Sequence, residues 1–184
     1  AGGARLNEGG AVTVTNANLS NNSAVRAGGA IEASGGRTQV DDTTMSGNVA
    51  GPVPGNGGAL HLTGVGNVTV NRSVVTDNTA GSEGGGLWNS GGGTMTVAGT
   101  TLTGNIANGV DPDNGGGALF NDGGSLTVNT STVSDNSAVQ GSGSGGGVFN
   151  NAGTLTVRNS TFGQNSAARA GGAVETAGVN IDDY

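Results

Sequence analysis

Few residues in this chain can do chemistry. There are thirteen carboxylates, six arginines, a single histidine, His61, and no lysine or cysteine. Without cysteine there is no thiolate nucleophile, no thiolate metal site and no disulfide. Catalysis would fall to carboxylates working with His61 or an arginine. A glycosidase or lyase of that type needs two such groups on one face, several ångströms apart. The nearest approach is Glu32 and His61, which hold the same place in successive repeats. The next residue at that place is Trp88, not an acid. Asp77 and Asp135 also share one place, but Gly104 stands between them. A cation pattern is written in "DPDNGGGALFND", where Asp111, Asp113 and Asp122 fall at positions 1, 3 and 12 of a calcium-loop frame with Gly116 at position 6. Gly115 offers no side-chain oxygen at position 5, and Leu119 and Phe120 belong to a predicted strand, so this is a weak metal candidate. No cofactor is expected.

The elements that would position these groups come from a repeat. An apolar residue, two small or polar residues and an asparagine recur six times, ending at Asn22, Asn48, Asn78, Asn105, Asn136 and Asn165. Seven residues before each apolar anchor stand Val12, Thr38, Val68, Met95, Leu126 and Leu155, each followed two residues later by valine. Two residues after each asparagine is an alanine. A glycine pair, a small residue and an aliphatic residue then open the next unit, as in "GGAI" and "GGAL". Units start 26 to 32 residues apart, with insertions mostly between the alanine and the glycine pair.

Three short period-two segments per unit, separated by Gly/Asn/Ser turns and free of helical periodicity, predict three short strands. One unit cannot bury its apolar face alone, whereas stacked units bury a continuous column. The expected fold is all-β: a right-handed parallel β-helix of about six to seven coils, forming a single domain over residues 1–184. The asparagines are expected to be structural. Their amides would form a ladder between coils, and asparagine tolerates the left-handed backbone of a tight corner.

Composition excludes some roles. A net charge of -7 with no lysine leaves no basic footprint for nucleic acid. No apolar run is long enough to span a bilayer. Trp88, Phe120 and Phe149 hold three of the five aromatics and should stack outward on consecutive coils. Such a strip marks a contact surface, unless the chain's own loops cover it. Thr13, Thr69, Thr96, Thr127 and Thr156 form one outward rank, interrupted by Gln39. A regular threonine rank on a flat face resembles those of ice-binding β-solenoids, although β-propensity writes threonine on any solvated strand.

The pairing of GGA-plus-aliphatic with apolar-x-x-Asn resembles the repeat of polymorphic outer membrane proteins. "GGAI" and "TFGQN" match its GGA[I/L/V] and FxxN motifs literally, while most copies carry Val, Leu or Met in place of Phe. The resemblance covers almost the whole chain, without the family's cysteines or C-terminal membrane barrel. It implies an exported, extracellular or cell-surface protein used in adhesion or as scaffold. The expected role is therefore a non-enzymatic structural or adhesive module, with surface glycans or another protein as partner. An ice binder and a polysaccharide-binding or -degrading β-helix stand as alternatives. The opening "GGARLNEGGAVTV" and the closing "GGAVETAGVNIDDY", whose second strand would start at Val179 and Ile181, share one phase. That predicts self-association through terminal coils into a filament. Arg5, standing where other coils place an aliphatic residue, argues against a simple stack.

Overall fold

Every coil spends its apolar residues at alternate positions, and every coil repeats the choice, so strands pair in parallel with their counterparts above and below. The computed structural model describes residues 3, 5–52 and 54–178; the predicted strand at Val179 and Ile181 lies outside them. The described chain is a parallel β-helix of three sheets. Its six coils run from the first residue of the glycine strand to the corner alanine: residues 5–24, 31–50, 60–80, 87–107, 119–138 and 148–167. Val174–Ala177 begins a seventh.

The division into sheets differs from three equal strands. The segment after the glycine pair and the Val-x-Val segment join one 11-stranded sheet. In the second and third coils they fuse into single strands, Ile31–Asp41 and Leu60–Asn71. In the fourth to sixth coils a turn separates them. The third residue of the glycine strand decides which occurs. Where it is Ala33 or Leu62 it packs in the core and the strand runs on. Where it is Asn89, Asn121 or Asn150, the amide binds the turn that follows. Asn121 Nδ2 donates to Gly124 O at 2.9 Å and Asn150 Nδ2 to Gly153 O at 2.8 Å. These asparagines also bond one another, Asn89 to Asn121 at 2.7 Å and Asn121 to Asn150 at 2.6 Å.

The anchor segments make a second, six-stranded sheet from Asn18–Ser20 to Thr161–Gly163. Two-residue strands ending at the corner alanines, Ser23–Ala24 to Ser166–Ala167, make the third. The core between the sheets is aliphatic: Ile31, Leu60, Leu87, Leu119 and Val148 from the glycine strands meet Met45, Val75, Leu102 and Val133 from the anchors. Each such burial contributes roughly 1.5–3 kcal/mol. Thr38, fully buried among them, is satisfied by Asn7 Nδ2 at 3.0 Å.

The asparagine ladder forms as expected. Asn48 Nδ2 donates to Asn78 Oδ1, Asn78 to Asn105 and Asn105 to Asn136, each at 2.9 Å, and backbone N–H groups donate to the same oxygens. The left-handed residue at this corner is the one before the ladder: Asn21, Gly47, Asp77, Gly104, Asp135 and Gln164 have φ between 53° and 65°. The ladder asparagines are therefore selected for their amides, not for their backbone. A second corner carries a hydroxyl ladder, in which the backbone N–H groups of Thr43, Ser73, Thr100 and Ser131 donate to the hydroxyls of Ser73, Thr100, Ser131 and Ser160 at 3.1 to 3.3 Å.

The glycine pair has two separate causes. The first glycine, as at Gly28, Gly57, Gly84 and Gly116, sits at φ of 58° to 64°. The second is needed for close approach: a Cβ on Gly117 would lie 2.1 Å from Gly146 O, and one on Gly58 would lie 2.0 Å from Gly85 O.

Candidate functional site

Alternation along the glycine strand sends its first and third residues inward and its second outward. The registers align those second residues into one rank: Leu6, Glu32, His61, Trp88, Phe120, Phe149 and Glu175. Leu87 is in the central core and Trp88 is not, so the predicted phase is correct. The predicted exposure is not. Trp88 is 8% exposed, Phe120 1% and Phe149 0%, and the three form a second apolar cluster outside the sheet.

The insertions between alanine and glycine pair are the cause. They fold back over the rank and are tied to it and to one another. Glu83, in one insertion, accepts from Trp88 Nε1 at 3.0 Å, from Asn56 Nδ2 at 3.2 Å and from Asn114 Nδ2 at 2.9 Å. One carboxylate thus links the insertions of three successive coils. Arg169, farther along, donates to Ser144 Oγ at 3.0 Å and Pro112 O at 3.3 Å.

The rings stack along the rank. His61 lies 4.3 Å from Trp88 at 19°, and Trp88 lies 6.2 Å from Phe120 at 2°. Phe120 meets Phe149 edge-on at 5.2 Å. His61 thus covers one face of Trp88, and the three aromatic residues of this rank leave little ring surface on which a sugar could stack.

Glu32 and His61 do come together, as their shared register place predicts. Nδ1 of His61 is 3.1 Å from Glu32 Oε1, and Thr63 Oγ1 donates to the same oxygen at 3.1 Å. Glu32 is 4% exposed, and its Oε2 has no partner. Burial alone would raise its carboxyl, but the bond to His61, the charge of that residue and the Thr63 bond together hold it below the ordinary 4.5. Glu83 goes the other way: burial raises it above 4.5 against the bonds from Trp88 and Asn114. His61, Thr63 and Trp88 border a cavity of about 220 Å³, closed on its other side by Arg26, Ala27, Pro54 and Asn56.

The other sequence candidates fare differently. Asp111 and Asp113 lie in an exposed insertion and Asp122 ends a strand. Among the described residues no three His, Cys, Asp or Glu side chains gather to hold a metal. Thr13, Gln39, Thr69, Thr96, Thr127 and Thr156 align in register. Their face is crossed by a polar network, with Arg37 donating to Gln39 at 3.0 Å, Gln39 to Asp41 at 2.5 Å and Asn71 to Asp41 at 2.8 Å. Glu83, Asn56, Asn114 and Thr63 were missed. Glu83, Asn56 and Asn114 each occur once, in an insertion, and Thr63 lies inside the fused strand Leu60–Asn71; no repeat marks any of them. No described helix is long and apolar enough to cross a membrane.

Compared with known families, the chain matches the model of the "right handed beta helix region" over residues 2–183. No curated protein and no solved structure gave a significant match.

Proposed function

We propose that this chain, which belongs to the right-handed β-helix family, is a rigid, non-catalytic scaffold module of the cell exterior. The observation that carries the reading is the unbroken asparagine ladder from Asn22 to Asn165, which couples all six coils through amide bonds that are buried in mid-column and half-buried at the two ends. A column joined in this way resists bending and local opening, as a spacer or an adhesive stalk must. The outward rank supports the same reading. Its aromatic side chains and Glu83 are spent on holding the insertions down. The likeness to polymorphic outer membrane repeats supports placement outside the cell, with a glycan or a protein as partner.

The test combines location with turnover. Intact source cells treated with protease should lose the protein, and the purified chain should release no reducing ends or unsaturated sugars from a polysaccharide panel. Turnover abolished by Glu32→Gln or His61→Asn would overturn the scaffold reading and make the Glu32–His61 pair catalytic.

A further inference from the structure

The outer face of the anchor sheet is uncharged and rich in hydroxyls. Its six strands present two outward ranks in register. One rank is Asn18, Thr44, Val74, Thr101, Thr132 and Thr161; the other is Ser20, Ser46, Thr76, Thr103, Ser134 and Gly163. These twelve positions hold nine hydroxyl side chains and no charge, in a chain of net charge -7. Charges begin only at the two bordering corners, with Asp42 and Arg72 on one and Asp77 and Asp135 on the other. All twelve positions are exposed or half-buried. Every hydroxyl of the second rank is engaged: Ser20 with Asn18 and with Ser46 at 2.7 Å, Thr76 donating to Asp77 at 3.0 Å, and Ser134 donating to Thr103 at 3.4 Å; the hydroxyls of Thr44, Thr101, Thr132 and Thr161 bond no protein group among the described residues.

The hydroxyls lie on a two-dimensional grid. Coils repeat at roughly 4.8 Å, and outward residues two apart along a strand at roughly 6.6 Å. A partner that engages such a grid everywhere must itself be periodic in two directions. Three partners meet that condition: crystalline water, a crystalline neutral polysaccharide and a second copy of the column. Polysaccharide crystals are held through aromatic faces, and this surface has no aromatic residue. A second copy would cover only about 300 Å² per partner, from six strands at roughly 4.8 Å by three residues at roughly 3.3 Å. Stable protein interfaces need about 800 Å² per partner and anchor residues at their centre. Crystalline water needs neither, because each unbonded hydroxyl can hold one ordered water and each threonine methyl can exclude disordered ones.

We propose that the outer face of the anchor sheet binds ice through the Thr44–Thr161 and Ser20–Ser134 ranks. The Thr13–Thr156 rank of the long sheet, with its arginine, glutamine and aspartate network, is not the binding face.

The experiment measures thermal hysteresis and ice-crystal shaping by the purified chain, by Thr132→Lys and Thr101→Lys on the anchor face, and by Thr127→Lys on the long sheet. Circular dichroism melts verify that each variant folds. We expect hysteresis in the wild type, its loss in both anchor-face variants and its retention in Thr127→Lys. Wild-type protein without hysteresis or shaping would overturn the proposal. So would loss in Thr127→Lys with retention in folded Thr132→Lys and Thr101→Lys. Dimerisation or cellulose binding that depends on Thr132, without ice shaping, would reassign the face to another periodic partner. None of these outcomes bears on the scaffold reading, which stands or falls on protease accessibility and polysaccharide turnover.

Discussion

Asn105→Ala is the most direct probe of the column, because Asn105 sits fully buried near the middle of the ladder. Its Nδ2 donates to Val75 O at 2.9 Å and to Asn136 Oδ1 at 2.9 Å, and its Oδ1 accepts from the Asn78 backbone N–H at 3.1 Å and from Asn78 Nδ2 at 2.9 Å. Asn136 Oδ1 keeps the backbone N–H of residue 105, and Asn78 Nδ2 keeps Met45 O. The Asn78 N–H keeps nothing. One orphaned buried donor costs about 1–3 kcal/mol, and each of the three further lost bonds about 1 kcal/mol, so the expected loss is about 4–6 kcal/mol. For a domain of this size that lowers the melting temperature by about 8–24 °C.

Asn22→Ala is the internal control. Asn22 only donates to Asn48 Oδ1, from its backbone at 3.0 Å and its side chain at 2.9 Å, and the backbone bond survives the substitution. Its expected loss is under about 1 kcal/mol. Urea and thermal unfolding followed by circular dichroism give both numbers. Equal losses at the two positions would mean that stability does not run through the ladder, and the account of coil coupling given above would fail.

Gly117→Ala should prevent soluble folding or destabilise by more than about 3 kcal/mol, since backbone atoms stand where its Cβ would go; Gly163→Ala, with open space around it, should change stability by less than about 0.5 kcal/mol. Glu83 and Glu32 should give pH effects of opposite sign in unfolding titrations. Glu83 is raised in the fold, so the stability it contributes is complete below 4.5 and is lost as pH rises through its folded value; Glu83→Gln should therefore gain on the wild type between pH 4 and pH 8. Glu32 is lowered, so its contribution is present above 4.5 and is lost as pH falls through its folded value. Glu32→Gln should remove that acid-side loss, and a wild-type profile unchanged by either variant would show that neither carboxyl is linked to folding.

The parts of the molecule that repeat could be read in the sequence, and the parts written once could not. Each strand alone is a weak signal, but six aligned copies of valine, anchor and asparagine place every inward side chain, including Leu87 beside an outward Trp88. Two further ladders were written in the same way and could have been found. The third residue of the glycine strand reads Asn in "LWN", "LFN" and "VFN", and a hydroxyl stands two residues before five of the six anchors. The burial of Trp88 was of another kind. Strand alternation fixes direction, whereas exposure depends on what lies above the sheet. The insertions differ in length and composition from coil to coil, so nothing in the pattern places Glu83 over Trp88 or brings Asn56 and Asn114 to its oxygens. An acidic residue in a Gly/Ser insertion looks solvated by composition. Here the three donors around Glu83 lower the penalty of burying it, and in return one carboxylate fastens three coils' insertions over the aromatic cluster. In a solenoid the repeat builds the column. The unrepeated insertions decide which of its outward residues meet water, so a search for this protein's contacts with other molecules should begin where they leave the sheets uncovered, on the anchor face.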